Sequence, residues 1–398
     1  MDMKFFKGKA QVKSGWVISL MLLLTMSIAF SSCEEWFEDD DDDGGGGIIP
    51  VGRNFADHLD TPWEMVFAPD GKMFVTQRPG AILVIDQHGN KTPWLQLDSV
   101  VEEVGESGLF GIELDPAFDQ NGYVYFAYTY AVSKSPLRLM NKIVRYKDNA
   151  GTPSFDKVLL DSIEGNYLHN AGPLEFGPDS MLYCTVGEIF RPELAQDMSS
   201  LNGKILRMTR DGSIPLDNPF PDSYIYSLGH RNPQGLAFQP ETNNLWSTEH
   251  GPSVEQGCCM DEINLIMPGH NYGWPLIRGD QQQAGLETPV YYSGDTTTWA
   301  PAGGFFVTQG DWKGSLIFTG LRGQALYRAV FDENDPSRIV TVERYLHEVF
   351  GRLRNVVEGP DGKIYIAVSN QDGRGDPLTS DDRIVIMTQE EILRYKSD

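Results

Sequence analysis

The sequence predicts an all-β fold, a six-bladed β-propeller. Three observations carry this. One strand–turn–strand unit recurs along the chain, its turns draw on the same few residues, and no amphipathic helix longer than a few turns is evident. The units are "MVFAPDGKMFVTQRPGAILVID", "GIELDPAFDQNGYVYFAYTY", "LEFGPDSMLYCTVGE", "LAFQPETNNLWSTEHG" and "VVEGPDGKIYIAVSNQDG". Each is an alternating apolar strand, a turn usually made of Pro, Asp and Gly, and a second strand rich in Tyr, Val, Ile or Phe. A sixth unit, "GSLIFTGLRGQALYRAVF", has strands without that turn. All-β units spaced roughly 45 to 80 residues apart and joined by long loops read as propeller blades. A β-sandwich also has short strands and polar turns, but tandem similarity of the units favours the propeller. "QEEIL" near the end is the best short helix.

Ahead of the repeats, Lys4, Lys7, Lys9 and Lys13 precede the apolar run "WVISLMLLLTMSIAF". A basic stretch followed by a short apolar one is an export signal, too short for an ordinary spanning helix. "FSSC" follows, so residues 1–33 read as a signal ending in a lipobox, with Cys33 lipid-modified as the first mature residue. A plain secretory signal with an incidental cysteine is the alternative. Residues 34–52, with "EEWFEDDDDDGGGG", cannot bury apolar area and read as a solvated tether. The propeller then occupies 53–398. The product is expected to be exported, as a periplasmic or cell-surface lipoprotein of a bacterium.

The 398 residues carry 32 basic and 56 acidic side chains, a formal net charge of -24. That excludes nucleic acid, whose phosphates need a basic footprint. An anionic ligand must instead be met by local arginines working against the overall field. Cys184, Cys258 and Cys259 remain in the mature chain, too few for a disulfide framework. Cys184 reads as core. The adjacent pair either forms a vicinal disulfide or simply packs.

In a propeller, residues just before an inner strand, or just after the second, reach the cup at one end of the axis. His169 precedes "PLEFGP" and Glu188 follows "LYCTVG". Arg231 and Asn232 precede "PQGLAF", Arg352 and Arg354 fall at the start of another inner strand, and Arg322 lies in a loop between strands. A single arginine is usually a surface charge. Four brought to one rim would make a focused anion site.

At "LGHRNPQGLAF", "DEINLI" with "NYGWP", "LNGKILRMTRDGSIPLDNPF" and "GESGLFGIELDPAF" the chain resembles the glucose/sorbosone dehydrogenases, the soluble PQQ-dependent aldose sugar dehydrogenases, over about residues 60–385. The resemblance implies a six-bladed propeller that oxidises a sugar or related hydroxyl compound and passes electrons to an external acceptor. It implies PQQ and Ca2+ as cofactors. His169 matches the catalytic base, a role that suits imidazole. Arg231 and Asn232 match PQQ contacts, and Arg352 and Arg354 match the pair that binds its carboxylates. Gly251 and Pro252 match the carbonyls that hold the PQQ-bound calcium, a hard cation that takes oxygen ligands. Glu262 and Tyr272 match residues near a further calcium.

The chain also departs from the glucose enzyme. Arg322 stands where that enzyme has a lysine, and Leu168 replaces the aspartate before the base. Glu106 replaces a sugar-binding glutamine, and Glu188 replaces the aspartate that orients the base. "SVEQGCCM" is an insertion. These changes put glucose itself in doubt as the substrate. Two other classes stay open: a non-catalytic extracellular carbohydrate- or protein-binding propeller, and a metal-dependent propeller hydrolase or lactonase using Glu106, Glu188 and Asn232.

Overall fold

The structure, a computed structural model, describes residues 51–252 and 258–397. The signal, the lipobox at Cys33 and all but the last two residues of the tether lie outside the described residues. So does the "SVEQG" part of the insertion.

Six antiparallel sheets stand around one axis. Their inner strands are Pro62–Phe67, Leu109–Leu114, Ala171–Phe176, Pro233–Phe238, Pro301–Phe306 and Leu353–Glu358. Each inner strand contacts the next, and the first contacts the last, so the ring is closed. The protein is therefore a six-bladed β-propeller.

The Pro-Asp-Gly turns join first and second strands at the lower end of the axis. At three of them an aspartate bonds the backbone N–H two residues on: Asp70 to Lys72, Asp179 to Met181 and Asp361 to Lys363. The turn's last position has positive φ, held by Gly71 at 83° and Gly362 at 73°, and by Ser180 at 60°. The sixth sequence unit is the second and third strands of blade five, Leu316–Gly320 and Ala325–Asp332. That blade's inner strand is "PAGGFF", whose two glycines weaken the strand pattern.

The chain ends close the ring. Arg53–Ala56 pairs with Arg383–Met387 as the outermost strand of blade six, and Lys396–Ser397 adds a fifth strand to blade five. The short helix "QEEIL", Gln389–Leu393, leads into that last strand behind a capping box of Thr388 and Glu391.

Between blades, apolar faces pack into separate cores, such as Phe74, Trp94 and Phe126 or Trp246, Phe306 and Phe318. A repeated threonine crosses three of the seams. Thr76 Oγ1 donates to Phe110 O at 2.7 Å, Thr185 to Pro233 O at 2.7 Å and Thr248 to Ala302 O at 2.8 Å. Each threonine lies on a second strand and each acceptor on the next blade's inner strand.

Every inner strand breaks register against its neighbour near its upper end. Such bulges re-aim side chains, and here they do so where the loops meet. We expect Thr248→Val, which keeps shape but strands a buried carbonyl, to cost about 1–2 kcal/mol. Urea unfolding should show a lower midpoint with an unchanged slope.

Candidate active site

The upper loops enclose a cup of about 800 Å³. Glu106, His169, Arg231, Arg322, Arg352 and Arg354 all line it, as do Gly251 and Pro252. Glu188 and Asn232 stand directly behind this wall, both fully buried.

His169 enters from the loop before the third inner strand with φ of 54°, and Ala171 follows at 57°. Such positive φ costs a non-glycine residue of order 1–3 kcal/mol and persists where the surroundings dictate it. They do so here. Glu188, just past the second strand, holds His169 Nδ1 at 2.6 Å. The His169 N–H donates to Glu106 Oε2 at 3.1 Å, and the Phe190 ring packs tilted against the imidazole at 5.3 Å between centroids. A carboxylate on Nδ1 fixes the proton there and leaves Nε2 as the basic atom on the ring.

Blade four repeats the device. His230 Nδ1 meets Glu249 Oε2 at 2.9 Å, with the same sequence interval between histidine and glutamate. Here the imidazole is fully buried, stacked on Tyr272 and bonded to Ser227. The other oxygen of Glu249 accepts the backbone N–H groups of Arg231 and Asn232. This second pair therefore sets the backbone from which two predicted site residues project.

The arginines differ in how they are held. Arg354 lies 3.9 Å over the Trp63 ring and donates to Gln234 Oε1 at 2.7 Å. Burial pulls its pKa down to about 9, against the opposing pull of Glu64 and Glu106. Burial likewise lowers Arg231, against Glu188 and Asp261. A guanidinium penalised by burial gains from an added anion. Arg352 is clasped by Asp372 through Nε at 2.8 Å and Nη2 at 2.6 Å. Arg322 is exposed on the rim. Buried polar atoms at the wall lack partners: Asn232 Nδ2, His250 Nε2 and Arg354 Nε. Burial drives His250 to about 3, so its imidazole is neutral.

Glu106 spans the cup mouth. It accepts Arg374 Nη1 at 2.7 Å as well as the His169 N–H. Burial works to raise its pKa, but Arg374, His169 and that N–H outweigh burial and bring it to about 2.

The two metal expectations separate in space. Gly251 and Pro252 line the cup, and Asp261 pins this loop by accepting Gly251 N at 2.8 Å. Asp261 also accepts Trp299 N and Ala300 N. Glu262 and Tyr272 sit behind the loop, along a narrow crevice shared with Arg231 and Pro252. The Glu262 carboxylate accepts Gly279 N and Asn264 Nδ2, while the Tyr272 hydroxyl donates to Leu265 O. Among the described residues, no three acidic, histidine or cysteine side chains converge on one point as metal ligands would.

Cys184 is buried core, and Cys258 and Cys259 form a vicinal disulfide with Cys258 on the cup wall. Sequence reasoning missed His250, Asp261, Asp372 and Arg374. Asp372 and Arg374 follow the second strand of blade six, the position that singled out Glu188 in blade three.

The sequence model of the Glucose / Sorbosone dehydrogenase family matches residues 59–380, and the chain belongs to that family. It is 32% identical over 319 residues to quinoprotein glucose dehydrogenase B of Acinetobacter calcoaceticus, covering 70% of this chain and 66% of that protein. It is 30% identical over 347 residues to aldose sugar dehydrogenase YliI of Escherichia coli, covering 80% of this chain and 89% of that one. The PQQ-bound aldose sugar dehydrogenase of Streptomyces coelicolor superposes with a TM-score of 0.75 at 36% identity, over 84% of this chain and 96% of that one. The family and these relatives point to a sugar oxidoreductase of the PQQ type.

Glu106 also carries a pH signature. Its folded pKa near 2 lies below the ordinary 4.5, so its contribution to stability is present above about pH 4.5 and fades as pH falls toward 2. Urea midpoints between pH 5 and 3 should fall less steeply in Glu106→Gln than in the native protein.

Proposed function

We propose that the protein oxidises an aldose or a related hydroxyl compound with PQQ and calcium, His169 acting as the base, and delivers the electrons to an external acceptor. One observation carries this reading: an imidazole pinned at Nδ1 by a buried carboxylate opens onto a cup walled by guanidinium groups.

The residues present suit PQQ. The atoms without partners at the wall include the amide Nδ2 of Asn232 and Nε of Arg354, donors for carboxylate and quinone oxygens. Arg231, Asn232, Arg322, Arg352 and Arg354 would hold it, with Gly251 and Pro252 supplying carbonyl ligands to its calcium. Glu262 and Tyr272 would serve a further calcium behind that loop. When bound, PQQ supplies a quinone that accepts the two electrons leaving the sugar.

His169 takes the proton of the sugar hydroxyl at Nε2. Glu188 steadies the imidazolium that results and keeps the ring from turning. Glu106, ionised at neutral pH, accepts a hydrogen bond from another hydroxyl and orients the sugar. Its Oε2, which also accepts the His169 N–H, can do so while Arg374 holds Oε1. Export through the N-terminal signal, with Cys33 as lipid anchor and residues 34–52 as tether, would place this chemistry outside the cytoplasm.

The test is a spectral titration of the apoprotein with PQQ in calcium buffer, then dye reduction with a panel of aldoses. His169→Ala should lower kcat by roughly 10²–10⁴-fold while PQQ still binds. Arg354→Ala should weaken PQQ binding tenfold or more, about 1.4 kcal/mol. No PQQ uptake and no dye reduction by the native protein would leave a binding propeller instead.

A further inference from the structure

The axis holds a second cavity beneath the cup. Trp63, Gln234 and Arg354 form a layer at the floor of the cup, joined by the Arg354 contacts to the other two. Their neighbours Glu64 and Asn355, with Leu236, line a cavity of about 490 Å³ on the far side. It reaches the lower end beside the turn at Gly359 and Pro360.

Its wall is acidic. Glu64, Glu113 and Glu175 come from the inner strands of blades one to three and Glu358 from blade six. No lysine, arginine or histidine lines it among the described residues. The carboxyls are only part-satisfied. Glu64 Oε2 accepts Ile112 N at 2.8 Å and Glu113 Oε1 accepts Leu114 N at 2.8 Å. Glu358 Oε2 accepts Thr308 N at 2.9 Å, while its Oε1 is buried with no partner.

Asn355 gives the independent sign. It is 4% exposed, and its Oδ1 has no partner. Its Nδ2 lies against Gly303, where a Cβ would come within 2.1 Å. Every unmet side-chain atom identified on this wall is thus an acceptor, and the matching ligand is rich in donors and positive. Three acidic groups do not converge here as they would on a bare metal ion. Between them run apolar surfaces from Phe67, Phe305 and Val357.

We propose that this lower cavity binds a linear aliphatic polyamine, its ammonium groups on the carboxyls and Asn355 Oδ1 and its methylenes along the apolar wall. The proposal does not depend on what the cup binds. Burial pushes Glu113 up to about 8, burial with repulsion from Glu113 does the same to Glu64, and burial with repulsion from Glu113 and Glu64 lifts Glu175 well above its usual range. The charged groups facing one another are these three, Glu358 and, across the floor layer, Arg354. A polycation replaces the protons, so binding should tighten as pH rises from 6.5 to 8.5.

The experiment is calorimetric titration of the full protein with spermidine in 150 mM salt, with Mg2+ titrated separately. We expect one spermidine per chain. Glu113→Gln/Glu175→Gln and, separately, Asn355→Leu should each weaken binding at least tenfold. The double variant removes at most two of a formal excess of 24 negative charges, so non-specific attraction to the acidic surface would barely change. Near-UV circular dichroism checks folding, and PQQ uptake by the double variant should match the native protein. Absence of spermidine binding, binding indifferent to both variants, or Mg2+ binding there in its place would overturn the proposal.

Discussion

Closing six sheets around one axis brings inner strands closer together than side chains allow. A Cβ on Gly111 would come within 2.4 Å of Gly172 O, and one on Gly235 within 2.6 Å of Ala302 O. Backbone therefore passes backbone at these crossings, and bulky side chains must run toward the two ends of the axis. The register breaks in all six inner strands release the residues near them from the ladder and turn the upper ones into the cup. The cup and the lower acidic cavity are two products of one packing constraint, separated by the stacked layer of Trp63 and Arg354.

The paired histidine–glutamate units show how one local device is put to two uses. In blades three and four the imidazole comes from the loop before the inner strand and the carboxylate from the end of the second strand. A buried carboxylate is costly unless its acceptor sites are filled. Glu249 fills both oxygens, with His230 on one and two backbone N–H groups on the other, so that blade's pair is a bracket. Glu188 keeps one buried oxygen without a partner, and its imidazole lines the cup. Blade four's pair braces backbone, and blade three's imidazole faces the cup.

Much of this was legible in the sequence because propeller blades are local. Strand, Asp-containing turn and second strand lie within about twenty residues, so alternation and turn chemistry suffice to find them. The rule that loop residues before an inner strand or after a second strand reach the cup placed His169, Arg231, Arg352 and Arg354 there. What stayed hidden is contact across blades. Glu106 and Arg374 are separated by 268 residues, and neither flank hints at the other. Asp261 lay inside the quoted "DEINLI", yet its work on Gly251, Trp299 and Ala300 appears only once those loops are folded together. The lower cavity escaped for a different reason. Its glutamates occupy ordinary strand positions, and only ring closure turns them toward one axis.

The charge balance of the cup bears on which chemistry it serves. Six arginines face three carboxylates, inside a chain whose formal net charge is -24. Those three are already committed: Glu106 to Arg374, Asp372 to Arg352, and Asp261 to backbone N–H groups. A propeller hydrolase built around a channel metal needs the reverse, free carboxylates and few cations, because the metal supplies the positive charge. A neutral sugar offers no charge to this excess of guanidiniums over carboxylates. The surplus of cation suits a separate anionic partner of several charges, as the proposed tricarboxylate quinone would be. Under the proposed function the arginines would hold the cofactor, leaving His169 and Glu106 for the sugar.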